Sequence, residues 1–384
     1  MRMAATGGFV PPPYPYERLD ALKRLADSLP GGVVDCSIGT PCDPVPEVAK
    51  KAAIDALASS NGYPPSAGSA RLRDAAAGWI RRRFGSTVGA NQVGACVGTK
   101  ELVASLPHLL HLRSPSRDTV LYPAIAYPSY DMGAVLAGCR AVPVPLDSQW
   151  HLDIDAISED DAACALVLWI NEPGNPSAST ADDAYFARVV GWARARGIIV
   201  ASDECYAEFA PQPATILSTG LDGVLAMHSV SKRSNLAGMR VGFYAGDPDL
   251  VTYLVETRKH AGLMAPTMVQ AAAAAARADD AHVDVQRARY IERRDLMQEA
   301  LEPHGLVHDG GDAAFYLWMR TADGADDGWE IAARLAHEAG LLVSPGDLYG
   351  ALGADHVRIA LVQPRDRLEL ALDRLGRAAS VKPD

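Results

Sequence analysis

The stretch "HSVSKRSNLAGMRVGF", residues 228–243, places Lys232 directly after Ser231 and sets Arg240 eight positions further on, in a run otherwise rich in small and apolar residues. The five residues before it, "GVLAM", read as a buried strand ending at His228. A lysine at that point is either a solvated residue at a strand end or an amine kept out of water for covalent chemistry.

Working outward, helical stretches alternate with short apolar ones. "VAKKAAIDALASS" and "FARVVGWARARG" have helical spacing, while "DTVLYP", "CALVLWI", "GIIVASD", "GVLAMHS" and "VGFYAG" read as strands. Strands separated by helices predict an α/β fold with a mostly parallel sheet covered on both faces. Beyond about residue 270 the alanine-rich "VQAAAAAARADD" and the charged "VQRARYIERRDLMQEALEPHG" predict consecutive helices. The strands "AFYLWMR", "LLVSPG" and "HVRIALV" follow, which makes a second, smaller α+β unit. At the other end, the proline-rich "FVPPPYPYERL" predicts an extended arm.

A chain of 384 residues, 48% hydrophobic, can bury a large core and form about two domains. Its net charge of -11 argues against a nucleic-acid surface, and no apolar run is long enough to span a bilayer. The one basic run, Arg81 to Arg83, fits a helix end. Six scattered cysteines without a C-x-x-C pair predict reduced thiols and a cytoplasmic protein. His108 and His111 share a helical face but lack an acidic or cysteine partner, so no metal site is expected.

In an open α/β sheet the ligand lies beyond the carboxyl ends of the strands. Asn171 follows "CALVLWI", Asp203 ends "GIIVAS", and Ser229 to Lys232 follow "GVLAMH", so all three present polar groups to one edge. Together with Tyr127, Asn175, Tyr206, Arg240 and Arg358 they form a set whose order along the chain resembles the active site of fold type I pyridoxal-phosphate enzymes, the class I/II aminotransferases. The resemblance covers nearly the whole chain. It implies a fold type I architecture: an N-terminal arm with part of the small domain over 1–43, a large cofactor domain with a mixed sheet over 44–275, and a small C-terminal domain over 276–384.

What the resemblance implies for each residue follows from the cofactor's chemistry. Lys232 holds pyridoxal 5'-phosphate covalently, Asp203 sits against the ring nitrogen, and Tyr206 and Asn175 bond the ring's phenolic oxygen. The phosphate takes Gly98, Thr99 and Lys100 at a helix start, with Ser229, Ser231 and Arg240. Tyr127 stacks on the ring, and Tyr63 reaches the phosphate of a partner subunit, implying a homodimer with shared active sites. Gly39, Asn175 and Arg358 receive the substrate, Arg358 gripping the α-carboxylate with its planar fork. Lys232 then moves the Cα proton of an amino acid, and a 2-oxo acid accepts the nitrogen, with glutamate and 2-oxoglutarate as the usual pair.

Within the class, "SIGTPCDPVP", "SDECYAEF" and "RKHAGLMAP" resemble the actinobacterial N-succinyldiaminopimelate aminotransferases of lysine biosynthesis. That substrate brings distal carboxylates, for which Arg258, Lys259 and His260 are candidates by sequence position. One departure stands out. Where the family reads N-P-T-G, this chain has "NPSA", with Ser177 and Ala178 after Pro176, and Glu172 adds a negative charge nearby. Alanine is disfavoured at φ > 0, so the departure implies a paralogue with a shifted substrate as the alternative. Oxidation, decarboxylation and β-elimination start from the same covalent link and stay open. A ligand-sensing regulator is disfavoured, since no basic helix-turn-helix precedes the fold. Cys205 reads as a small buried filler beside Asp203.

Overall fold

The computed structural model describes residues 8–59 and 61–381. The first seven residues of the expected arm, Ser60, and the last three residues of the smaller unit lie outside them. The strands in chain order are β1 (Val34–Asp35), β2 (Val93–Cys96), β3 (Thr119–Pro123), β4 (Arg140–Val144), β5 (Ala165–Asn171), β6 (Ile199–Asp203), β7 (Val224–Ser229), β8 (Gly242–Gly246), β9 (Leu306–His308), β10 (Tyr316–Thr321), β11 (Leu341–Leu342), β12 (Ser344–Pro345) and β13 (Val357–Ala360). A seven-stranded sheet runs β2-β8-β7-β6-β5-β3-β4, parallel except for β8, which is antiparallel to both neighbours. β12-β13-β10-β9 make a small antiparallel sheet, and β1 pairs β11.

The alternation along β5 explains why its sequence is apolar throughout. Val167 and Trp169 face a core shared with helices Thr99–Arg113 and Pro248–His260, while Leu168 and Ile170 face one shared with helices Ala70–Phe84 and Asp183–Arg194. Both faces are covered, as a parallel sheet requires. A third core lies in the smaller unit, where Tyr316, Leu317 and Met319 pack against helices Ala281–Leu301, Gly328–Ala339 and Arg365–Val381. Among the described residues, no helix is long and apolar enough to cross a membrane.

Two strands of the seven-stranded sheet, β2 and β4, escape the sequence reading, and they are its two edges; β9, at an edge of the small sheet, escapes it too. β4 contains Pro143, tolerated at an edge because no neighbour needs its N–H. β2 contains Gly94, where a Cβ would fall 2.4 Å from the Tyr244 ring. The register then sets the site: Asn171 pairs with Asp203 and Asp203 with Met227, so the ends of β5, β6 and β7 open on one edge.

Candidate active site

Beyond that edge lies a chamber of about 380 Å³. Every residue that the resemblance assigned to the cofactor or to the substrate α-carboxylate lines it except Gly98, which lies just behind Arg240, and Tyr63, which is 96% exposed; Arg258, Lys259 and His260 do not line it.

Lys232 follows β7, and its Nζ donates to the carbonyl of Gly39. Burial first, then the Arg358 and Arg240 charges, pull its pKa down to about 8. The amine is therefore far more often neutral near physiological pH than an ordinary lysine. Gly39 is required where it stands, because a Cβ there would meet the Tyr316 hydroxyl at 2.6 Å.

Asp203 is held from two sides: Tyr130 Oη donates to its Oδ2 at 3.1 Å and the Cys205 N–H to its Oδ1 at 3.2 Å. Burial raises its pKa, and these hydrogen bonds oppose the rise. Tyr206 Oη pairs with Tyr316 Oη at 2.8 Å. Neither Tyr130 nor Tyr316 was singled out from the sequence. Tyr130 carried a signal, since it stands three residues after Tyr127 where a helix begins, which turns both toward the same side. Cys205 is only half-buried and lines the chamber, with Thr99 Oγ1 3.3 Å from its sulfur, so it is more than a filler.

An anion cup occupies one end. Helix Thr99–Arg113 points its N-terminus into the chamber from Gly98, whose φ is +77°. A Cβ on Gly98 would lie 2.3 Å from Arg240 Nη2, so the missing side chain is what lets the guanidinium lie over the turn. Ser229 Oγ donates to Ser231 Oγ at 2.8 Å and accepts from the Ser231 N–H at 3.0 Å. At the other end Arg358 is buried between the rings of Tyr316 and Tyr349, at 4.4 and 4.9 Å. Its Nη1 donates to Asn175 Oδ1 at 2.9 Å, its Nη2 to the Ser37 carbonyl, and its Nε has no partner.

The arm enters here. Tyr14 and Tyr16 line the mouth; Tyr16 Oη bonds Tyr349 Oη at 2.8 Å, and Lys100 Nζ lies 4.7 Å from the centre of the Tyr14 ring.

Two expectations need correction. Arg258 does not face a substrate: it is buried and forks onto Glu101 at 2.8 and 2.6 Å. An arginine with so much apolar stem and a carboxylate one helix away folds inward. Glu172 is not a free negative charge. It is buried, accepts from His151 Nδ1 at 2.9 Å and from Ser179 Oγ at 3.2 Å, and stands behind the Asn175 loop. Burial raises the Glu172 pKa; for His151, burial lowers it but the bond to Glu172 outweighs this and raises it. Ala178 does adopt the strained backbone, with φ +57°. Its carbonyl accepts from the Ala313 N–H at 3.1 Å, and the Ser177 carbonyl accepts from Gly311 at 2.8 Å, which docks the loop onto the smaller unit.

The sequence matches the family described as aminotransferase class I and II over residues 32–375. This chain belongs to the class I and II aminotransferases. It is 40% identical to the 4-dedimethylamino-4-oxo-anhydrotetracycline transaminase OxyQ of Streptomyces rimosus, over 95% of this chain and 99% of that protein. It is 42% identical to a probable aminotransferase of Mycobacterium tuberculosis, over 95% of this chain and 85% of that one. Among solved structures it is similar to a probable N-succinyldiaminopimelate aminotransferase of Thermus thermophilus, with TM-score 0.84 and 30% identity over 95% and 100% of the two chains. The protein is thus an aminotransferase of fold type I, a family that implies pyridoxal phosphate.

Proposed function

We propose that this aminotransferase holds pyridoxal 5'-phosphate through Lys232 and exchanges nitrogen between an amino acid and a 2-oxo acid, glutamate and 2-oxoglutarate being one pair. The observation that carries it is an amine with its pKa pulled down to about 8 in one chamber with a buried carboxylate, Asp203, and a guanidinium, Arg240. The residues fit the group: an aldehyde needs a partly neutral amine, a dianion needs the glycine-floored cup at Gly98, and a ring nitrogen needs Asp203. When bound, the cofactor supplies an aldehyde that couples to amines and a ring that takes up the electron pair left at Cα.

The chain's own residues would do the rest. Arg358 lines the chamber at the end away from the cup and would turn its guanidinium fork from Asn175 to a substrate α-carboxylate. Lys232 Nζ takes the proton from the substrate Cα, and the Gly39 carbonyl keeps that nitrogen at the chamber wall. Tyr14 and Tyr16 narrow the mouth and exclude water.

For the substrate, the likeness to the Thermus thermophilus protein supports succinylated diaminopimelate. A shifted substrate is the reading we favour. Of the three residues that sequence position offered for a distal carboxylate, Arg258 is spent on Glu101 and Lys259 pairs with Glu256, and the mouth presents tyrosines instead. A tetracycline transaminase among the relatives supports a substrate outside amino-acid biosynthesis. We also propose a homodimer with shared sites: Tyr63 and Ile54 are exposed close together in sequence, Ile54 on helix Glu47–Leu57, as an interface between copies needs.

The experiment is to titrate the purified protein with pyridoxal phosphate, then add glutamate alone. Visible absorbance that appears with wild type, is absent in Lys232→Ala, and converts once with glutamate without further turnover supports the reading. Colourless wild-type protein refutes it, and continued oxygen uptake makes it an oxidase. Faster transfer to 2-oxoglutarate from succinylated diaminopimelate than from any aromatic amino acid refutes the substrate shift.

A further inference from the structure

Behind the cup, on the far side of β7, lies a buried charge cluster that amino transfer as described does not use. Arg277, on helix Thr267–Ala278, is 1% exposed and lays its guanidinium 3.9 Å from the centre of the Trp79 ring. Its Nη2 donates to the carbonyl of Ser229 at 2.8 Å, while Nε and Nη1 have no acceptor. The Glu208 carboxylate stands 3.8 Å from Nη1 but is already engaged. It receives the Arg233 fork, Trp79 Nε1 at 3.1 Å and Arg83 Nε at 3.1 Å.

Arg83 has a second partner in Asp284, so Arg233 and Arg277 share one buried carboxylate between them. The imbalance is visible in Arg277, whose pKa is pushed well below the ordinary guanidinium value, by burial first and then by Arg233. His228 adds no compensation: burial, then Arg277, hold it neutral. Burial pushes Glu204 up to about 7, so it carries only part of a negative charge near neutral pH.

Buried cations carry a large desolvation penalty unless an anion faces them. Arg277 reaches only the carbonyl of Ser229, whose hydroxyl is in the cup. With Lys232 and Asp203 set aside for the cofactor's aldehyde and ring nitrogen, Arg240, Arg233 and Arg277 face Glu208 across the turn. The excess of two positive charges matches a phosphate monoester, about -1.5 to -2 near neutral pH.

We propose that Arg277 is a positioning residue for the cofactor phosphate, supplying a buried counter-charge behind the cup and fixing the Ser229 carbonyl so that the Ser229 and Ser231 hydroxyls face the chamber. The inference rests on the assignment of pyridoxal phosphate to Lys232. It goes beyond that assignment because Arg277 is outside the chamber lining and one shell removed from any ligand.

The test compares two aldehydes on the apoenzyme, pyridoxal phosphate and pyridoxal, with dissociation constants read from visible absorbance. Arg277→Gln weakens pyridoxal phosphate by about ten- to a hundredfold and pyridoxal by less than about threefold, and Arg277→Lys restores most of the difference. Equal weakening of both aldehydes, or none, overturns the inference, since simple structural damage does not discriminate between them. Should the glutamine variant fail to accumulate, Glu208→Gln reads the same charge with the opposite sign. It raises the preference for the phosphorylated aldehyde, and an unchanged or lowered preference overturns the inference. Wild-type protein that binds neither aldehyde removes the Lys232 assignment and this inference together, whereas equal weakening removes this inference alone.

Discussion

Gly98→Ala is the sharpest perturbation of the cup, because one methyl group acts on both backbone and charge. With φ at +77° and ψ at +149°, Gly98 occupies a region that is essentially glycine's alone, where an alanine costs roughly 1–3 kcal/mol of stability. The new Cβ would fall 2.3 Å from Nη2 and 2.8 Å from Cζ of Arg240, so the guanidinium must swing away, which it can do because its remaining tie is one bond to the Ala237 carbonyl. The cup then loses a charged donor worth about 1.5–3 kcal/mol, or roughly ten- to a hundredfold in affinity for a phosphorylated ligand. Equilibrium titration with pyridoxal phosphate measures the loss, and a double-mutant cycle with Arg240→Ala assigns it. The double variant should bind no more weakly than Arg240→Ala alone. Fully additive losses, or an affinity of Gly98→Ala within about twofold of wild type, would refute the claim that the missing Cβ exists for Arg240.

Further outcomes follow from the same geometry. Capture of aldehyde by the apoenzyme should rise with pH around a midpoint near 8, because about a tenth of Lys232 is neutral at pH 7 against fewer than about one in a thousand for an ordinary lysine; a midpoint near 10 in stopped-flow absorbance contradicts this. The sign for stability is the same: with the folded pKa lowered, the unfolded chain binds more protons between about pH 8 and 10.5, so apoenzyme stability from this group rises across that window. Tyr130→Phe removes a donor to Asp203 Oδ2, pushes that carboxyl further up, and should lower kcat roughly tenfold while moving the acid limb of its pH profile to higher pH. Glu172→Ala strands His151 and Ser179 and should lower unfolding free energy by about 1–3 kcal/mol in denaturant melts, with Glu172→Gln losing less.

How much of this was legible in the chain depends on what each residue's neighbours contribute. The inner strands β5, β6 and β7 announce themselves because burial on both faces demands unbroken apolar runs, and their ends announce the site because polar residues stop those runs together. The edge strands β2 and β4 stay hidden, since an edge tolerates the glycine and proline that blur its pattern. Lys232 after a strand and Gly98 before a helix take their roles from the resemblance to the class I and II aminotransferases, since spacing alone leaves a surface lysine and an ordinary helix start open. Roles that rest on where a side chain turns are not readable from either. Arg258 and Arg277 look alike in sequence, each basic and near a helix end, yet one folds onto Glu101 and the other reaches the Ser229 carbonyl 48 positions away in the chain. Glu172 looks like a surface charge until His151, twenty-one residues earlier, is brought to it across the edge of β5. In each case the deciding partner is distant along the chain, and a guanidinium or carboxylate takes whichever partner the tertiary fold brings within reach. The substrate question turns on the same physics. The mouth is built from an arm, Tyr14 and Tyr16, that meets Tyr349 more than three hundred residues later, so its aromatic character exists only once the chain has closed on itself.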